Sequence, residues 1–338
     1  MALNYDVDFV IAWVDGNDEE WQKEKTKYLP KRNLYGNDKS FRYRDWDNLQ
    51  YWFRAVEKFT PWVRKVHFVT YGHLPNWLNI DNPKLAVVKH TDYIPAKYLP
   101  TFSPRPIELN MHRIPDLAER FVYFNDDMFI IKPMPLTDFF SNGLPTDFCI
   151  LSKLHSQTKG DFTAYAKINN LCLLNSNFDK KEQMANFFWK WVSPVYGVNA
   201  LRNLVFYGQH HFNGFANNHL TFSYLKETFE DVWLKEEETL DETCRNKFRS
   251  KVDVNQWLMR YWQLASGNFV PCPRHYKGEV FEVSGNVQKN SMLYEAIEHQ
   301  KYRIVCINDN PDLDFEGVRD RIKEAFEKIL PEKSSFEL

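Results

Sequence analysis

Asn125, Asp126 and Asp127 follow one another where one apolar run, Phe121 to Phe124, ends and another, Met128 to Ile131, begins. Adjacent carboxylates resist joint ionisation unless a cation or hydrogen bonds offset their charge. Three oxygen-bearing side chains suit a hard divalent ion, Mg²⁺ or Mn²⁺, and Mg²⁺ commonly keeps waters and bridges to substrate phosphate. That chemistry points to a nucleotide-linked substrate. The alternative is a strand-ending Asx turn, for which Asn and Asp are equally apt, and the triplet alone does not choose. In extended chain Asn125 and Asp127 share one face and Asp126 takes the other.

Four further groupings could serve the same chemistry. Trp13-Val14-Asp15-Gly16 ends an apolar run. A strand running into a Gly turn is where α/β sheets place ligands, with Gly16 allowing close backbone approach and Asp15 able to bond a ribose or base. Arg42-Tyr43-Arg44-Asp45 offers guanidinium groups that could clamp a diphosphate. Glu108 and His112 stand four apart on an expected helix, with Arg105 and Arg113 nearby; an exposed salt bridge is an equal alternative. Gln209-His210-His211 and Phe248-Arg249-Ser250-Lys251-Val252-Asp253 could pair an imidazole base with a phosphate-binding guanidinium. Spacing does not prove that these two segments meet, and Asp253 could simply cap the following helix.

The elements that must position these residues alternate. Strands are expected at Asp8–Val14, Val66–Thr70, Leu85–Lys89, Phe121–Phe124 and 303–307. A helix from Trp46 puts Leu49, Trp52, Phe53, Val56 and Phe59 on one stripe and Gln50, Arg54, Glu57 and Lys58 on the other. Others are expected after Pro106, around Lys180–Val192, over Asn217–Leu234, Val252–Ala265 and Phe315–Ile329. The alternation over the first 134 residues argues for a mostly parallel sheet covered on both faces. The run Glu236-Glu237-Glu238 reads as a solvated helix end, and Glu332 to Leu338 as a frayed tail.

Bulk properties narrow the class. The 338 residues are 43% hydrophobic and 26% charged, which excludes global disorder and permits a large core. With 43 basic against 45 acidic residues there is no footprint for nucleic acid. The five cysteines are scattered without a C-x-x-C pair, so they read as reduced thiols. No apolar run approaches the ~20 residues of a membrane helix, and the N-terminus lacks the features of a signal peptide. The expectation is therefore a cytoplasmic protein, with peripheral contact to the inner membrane surface left open by composition.

The order of these segments resembles the Stealth family of sugar-1-phosphate transferases, which have four separated blocks. VDFVIAWVDGND (Val7 to Asp18) is similar to the first. The second runs from RYRDWDNLQYWFRAVEKFTPWVRKVHFVT through LPTFSPRPIELNMHRI to FVYFNDDMF. HHFNGFANNH with FRSKVDVNQWLMRYWQLASG resembles the third, and YRIVCINDN the fourth. The resemblance implies a GT-A-like α/β fold, a UDP-sugar donor, a saccharide acceptor, Mg²⁺ or Mn²⁺, and a role in capsule or exopolysaccharide synthesis. Along the chain the pattern loosens after Pro145, which reads as an insertion over 146–213 between a nucleotide-sugar-binding half over 1–145 and a closing part over 214–331, with a tail over 332–338.

Carried over, the catalytic candidates are His211, Arg249 and Asp126, with His211 aligning better than His210. Asn125, Asp127, Asn308 and Asp309 are the metal candidates. Trp13, Val14, Asp15, Gly16, Arg42, Asp45 and Arg54 are expected at the donor. Ser103, Arg105, Glu108, His112, Arg113 and Asp253 are expected at acceptor or phosphate. The chain departs from the family pattern at Ser103-Pro104-Arg105-Pro106 and at Gln50, which touches phosphate or acceptor contacts. The implied reaction is attack of a sugar hydroxyl on the β-phosphorus with release of UMP. The alternatives are a glycosyltransferase releasing UDP and a non-catalytic glycan-binding subunit.

Overall fold

The computed structural model describes residues 5–29, 44–154, 161–274, 277–310 and 313–338. In chain order the elements begin with β1 (Asp8–Ala12), α1 (Glu19–Tyr28), α2 (Leu49–Phe59), β2 (Val66–Thr70), β3 (Leu85–Lys89), α3 (His90–Tyr93), α4 (Pro104–Leu109) and β4 (Arg120–Asn125). There follow β5 (Met128–Ile130), β6 (Phe140–Ser141), β7 (Leu144–Asp147), α5 (Phe162–Asn177), α6 (Lys180–Asn186), α7 (Phe188–Trp191), α8 (Asn199–Val205), β8 (Phe222–Leu225) and α9 (Lys226–Lys235). The chain closes with α10 (Glu237–Arg245), α11 (Trp257–Ala265), β9 (Val270–Pro271), β10 (Gly278–Glu282), α12 (Val287–Glu298), β11 (Ile304–Asn308) and α13 (Phe315–Ile329).

The main sheet has the order β3-β2-β1-β4-β8, parallel except for β8 at one edge. Its central strands are apolar on both faces, as the covered position requires. Side chains alternate across the sheet. Phe9 and Ile11 of β1 and Val122 and Phe124 of β4 pack with Trp52 and Phe53 of α2 and Phe326 of α13. Val10, Phe121 and Tyr123 face the other way, into a core shared with Leu174 of α5, Phe229 of α9 and Tyr261 of α11. The mostly parallel, doubly covered sheet read from the sequence is therefore present. A small sheet, β10-β11-β5, extends the carboxyl edge, and β6-β7-β9 forms another.

Several expectations need correction. The stretch expected to be helical from Asn217 is loop, then β8, and only then α9; Phe222–Leu225 is buried throughout, and a short buried strand has no polar face by which to be told from helix. Glu237 and Glu238 open α10 rather than ending a helix, where acidic side chains favour the positive helix end. The helix expected from Val252 begins at Trp257, and α5, β10 and α12 were not anticipated. The expected frayed tail is held: Phe336 is buried, Leu338 N–H donates to the Trp77 carbonyl at 2.8 Å, and Glu337 pairs with Arg54 at 2.9 Å.

The amino end of the sheet rests on a buried carboxylate. Asp8, 0% exposed, accepts from Arg64 Nε at 2.8 Å and the Ala118 N–H at 2.9 Å, and lies 2.9 Å from His67 Nε2. Burial alone would raise its pKa, but the bonds from His67 and Arg64 outweigh that and hold it below the usual carboxylate value. A depressed native pKa means that the stabilisation is full above the unfolded value of about 3.9 and is lost as pH falls through the native value. Asp8→Asn is expected to lower stability at pH 7 by roughly 2–4 kcal/mol, discounted because Arg64 is partly exposed. Urea unfolding should show this deficit narrowing below about pH 3.9; a deficit constant with pH would contradict the ionic role.

Candidate active site

Parallel pairing of β1 with β4 sets Ala12 opposite Asn125, so the residues following both strands emerge at one sheet edge. This is where ligands sit in parallel α/β sheets. A cleft of about 630 Å³ opens there, lined by Trp13 and Val14 after β1 and by Asn125, Asp126 and Asp127 after β4. Asp126 and Asp127 occupy the turn between β4 and β5. Strand alternation does not act across a turn, so the expected split does not apply there, and all three residues line the cleft. β11 then lies antiparallel to β5, and Ile307 N–H donates to the Asp127 carbonyl at 2.8 Å. That register brings Asn308 and Asp309 to the same wall.

The two carboxylates divide their oxygens. Asp127 Oδ2 lies 3.2 Å from His219 Nε2, while its Oδ1 is buried without a partner among the described residues. Asp309 Oδ1 lies 3.6 Å from Arg44 Nη1, and its Oδ2 is likewise buried and unpartnered. A buried acceptor left unmade costs about 1–3 kcal/mol, so these oxygens suit an electropositive ligand. Cys306 Sγ shares a cluster with Asp127 and His219 whose ligand atoms lie within 4.8 Å of one another. Burial, followed by the Asp127 charge, pushes that thiol well above its ordinary range. The donors left for a cation are mainly oxygens, which fits Mg²⁺ or Mn²⁺.

Electrostatics in the cleft are strained toward neutrality. Asp126 is open to the cleft, yet crowding by its walls, and then the Asp127 charge, push it up to about 7. Burial also pushes Glu108 up to about 7, against the pull of Arg249 and Arg105. Asp309 is raised, again chiefly by burial, and Asp45, though open to solvent, is raised by crowding at the mouth of the cleft. Burial works against a charged His219, but its bond to Asp127 and the nearby acids outweigh burial and hold its pKa above the usual value. Shifted acids and a base sharing one cleft are characteristic of catalytic sites.

Arg249 also lines this cleft and makes no hydrogen bond or salt bridge among the described residues. Its loop is fixed from beneath. Arg105 pairs with Asp253, donates to the Ser250 carbonyl at 2.8 Å and to the Phe162 carbonyl at 2.7 Å. Asp253 in turn accepts from the Ser250 N–H and from Asn246 Nδ2, each at 2.7 Å. Ser103 caps α4 and sets Arg105 in place. Arg105 and Asp253 therefore hold the Arg249 loop, and Asp253 caps no helix.

The other expected residues lie elsewhere. His211 and His210 are exposed on the loop after α8 and line no part of the cleft; the histidine of this segment that does is His219, with His90 lining it from α3. Both belong to one block, and only the tertiary contact with Asp127 distinguishes them. Arg54 points away, bound to Glu337, to Glu327 and to the Leu330 carbonyl. The helix holding Glu108 ends at Leu109, so His112 leaves its face and packs against Phe229 and Trp233. Burial, then Arg113, drops the His112 pKa to about 3, and Arg113 stacks on Trp233. Asp15 closes its own turn, accepting from the Asn17 N–H at 2.8 Å and donating its N–H to His73 at 2.7 Å, while the Gly16 carbonyl accepts from Gln22. Trp13 and Val14 are the parts of that segment that line the cleft. Arg42 lies outside the described residues.

An acidic turn, histidines and a guanidinium with no hydrogen bond among the described residues line one cleft at the carboxyl edge of the α/β sheet. Residues 5–32 and 42–147 match the profiles described as Stealth protein CR1, conserved region 1, and Stealth protein CR2, conserved region 2. A capsular polysaccharide phosphotransferase of Streptococcus pneumoniae is 41% identical over 98% of both chains. A receptor polysaccharide phosphotransferase of Streptococcus gordonii is 40% identical over 98% of this chain and 99% of that one. An exopolysaccharide phosphotransferase of Lactiplantibacillus plantarum is 36% identical over 98% and 96%. The chain belongs to the Stealth family. Among solved structures, a galactosyltransferase in complex with donor and acceptor sugar analogs aligns with a TM-score of 0.38 and 11% identity over 95% of this chain and 96% of that one.

Removing Asp253 strands a buried guanidinium. Asp253→Ala is expected to cost about 3–5 kcal/mol in urea unfolding, whereas Arg249→Ala, which breaks no described bond, should leave stability within about 0.5 kcal/mol. Equal losses in the two variants would contradict the assigned division of labour.

Proposed function

We propose that the protein transfers a sugar-1-phosphate from a UDP-sugar to a hydroxyl of a saccharide acceptor. The observation that carries this reading is the convergence of Asp127, its partner His219 and Arg249, which makes no hydrogen bond among the described residues, on one cleft beside the Trp13-Val14 turn. The names of the relatives, capsular, receptor and exopolysaccharide phosphotransferases, support phosphoryl chemistry on a polysaccharide.

His219 accepts the proton of the acceptor hydroxyl at Nδ1, directly or through an intervening water, while its Nε2–H donates to Asp127, which fixes the ring. The freed oxygen forms a bond to the β-phosphorus, and the bond from that phosphorus to the bridging oxygen breaks. UMP leaves with the electron pair, and the sugar remains joined to the acceptor through a phosphodiester. Arg249 stabilises charge on the phosphoryl oxygens, and the aromatic wall at Trp13 packs against the donor. Asp127 and Asp309, through their unpartnered oxygens, with Asn125 and Asn308 beside them, would hold Mg²⁺ or Mn²⁺, which supplies positive charge opposite the diphosphate when bound. Protonated Glu108 would donate a hydrogen bond to the same phosphate or the acceptor.

His219→Ala is expected to lower kcat by roughly 10²–10⁴, with His211→Ala near wild type; the reverse would restore His211 as the base. EDTA should abolish turnover and Mg²⁺ or Mn²⁺ restore it, and Asp127→Ala should weaken Mn²⁺ binding measured by EPR without substrate. Chromatography of the spent nucleotide during acceptor-dependent turnover decides which bond breaks. UMP is expected, and UDP as stoichiometric first product would replace this reading with glycosyl transfer.

A further inference from the structure

The segment from α7 through α8 is inverted relative to an ordinary surface. On α8 the inward residues are Ala200 and Asn203, whereas Leu201, Leu204 and Val205 face solvent. Val198 is 82% exposed, Val205 78%, Leu201 63% and Trp189 on α7 77%. A surface of large apolar side chains on this scale marks an interaction site rather than scattered exposure.

The outward residues are not what holds the segment in place. Asn203 does that, donating to the Cys149 carbonyl at 2.6 Å and accepting from the Leu151 N–H at 2.7 Å. Tyr196 bridges the Lys190 carbonyl and the Cys149 N–H, and Lys190 donates to the Gly267 and Phe269 carbonyls at 2.6 and 2.9 Å. Trp191 and Phe206 supply the buried apolar contacts. The fold's own needs are met from the inside, and the apolar outer face is left over.

Charge identifies what covers it. No Asp or Glu occurs between Glu182 and Glu227, although the chain has 45 of them. Within that span Arg202 projects from the exposed side of α8, and His210 and His211 are exposed just beyond it. Aliphatic side chains with an interfacial Trp, a guanidinium beside them and no carboxylate form the composition that binds an anionic bilayer surface. A second copy docked face to face would bring Arg202 towards its own kind. No described helix is long and apolar enough to cross a membrane, so contact would be interfacial.

We infer that the exposed face of α7 and α8, centred on Trp189, Val198, Leu201 and Val205, docks the protein on an anionic lipid surface. The cleft stays clear of that surface. Thr163 at the start of α5 lines the cleft, while Asn175 near its end binds the Phe212 backbone of the loop after α8. At about 1.5 Å per helical residue the two lie roughly 18 Å apart. Docking through α8 would therefore hold the cleft near the bilayer without burying it.

The test is co-sedimentation of the full chain with phosphatidylcholine vesicles, with and without phosphatidylglycerol, alongside Val198→Ser/Leu201→Ser/Val205→Ser and, separately, Arg202→Glu. The wild type is expected to bind the anionic vesicles with a blue shift of Trp fluorescence. The triple variant should lower the partition about tenfold or more, and Arg202→Glu should lower it with an unchanged melting temperature. Wild-type protein left in the supernatant with anionic vesicles overturns the inference, as does equal binding by the variants. A concentration-dependent dimer in sedimentation velocity that the triple variant dissolves, without vesicle binding, assigns the face to a second copy instead.

Discussion

The register of β4 against β1 is the constraint on which the cleft depends. Parallel pairing of Ala12 with Asn125 makes two segments more than a hundred residues apart leave the sheet side by side. One carries the Trp13 turn and the other the acidic turn. A slip of one residue would exchange the two faces of β4, sending Val122 and Phe124 into the wrong core and moving Asp126 and Asp127 out of line with Trp13. The two hydrophobic cores on opposite faces of the sheet therefore also fix the site.

A second constraint is electrostatic. Asp126, Asp127, Asp45, Asp309 and Glu108 crowd one cleft against a formal charge near zero for the whole chain. The described structure answers only part of that charge, with Arg44 near Asp309 and His219 on Asp127. Where no partner is provided, the carboxyls move towards neutrality or present bare oxygens. Such a site is costly when empty, and a ligand bringing positive charge relieves it. Arg249, its loop held by the buried Arg105–Asp253 pair beneath it, lines the cleft without a hydrogen bond or salt bridge among the described residues, an arrangement suited to a phosphate.

Distant parts of the chain are tied together by single polar anchors. Arg54 on α2 gathers the C-terminal segment through Glu337 and the Leu330 carbonyl. Arg260 on α11 is fully buried on Asp147 and stacks on Phe148 and Phe222, joining β7 to β8. These arginines show why a guanidinium cannot be assigned to phosphate from its residue type alone. Arg54 and Arg260 satisfy the fold, whereas Arg249 makes no such bond among the described residues.

The sequence by itself determined the strands whose apolar runs are bounded by turns, the parallel sheet covered on both faces, and the acidic turn Asn125-Asp126-Asp127 as a chemical group. Those features rest on local periodicity and on the cost of placing carboxylates between apolar strands, both written along the chain. It also carried the family resemblance block by block. Only the tertiary structure decided which histidine reaches the cleft, because His211 and His219 share one segment and differ by what β8 and the turn after β4 bring near. It likewise turned Arg54 away, buried His112 beneath Trp233 and recruited a polar tail into a packed edge. Those outcomes depend on contacts between residues far apart in sequence, whose energies no local pattern contains.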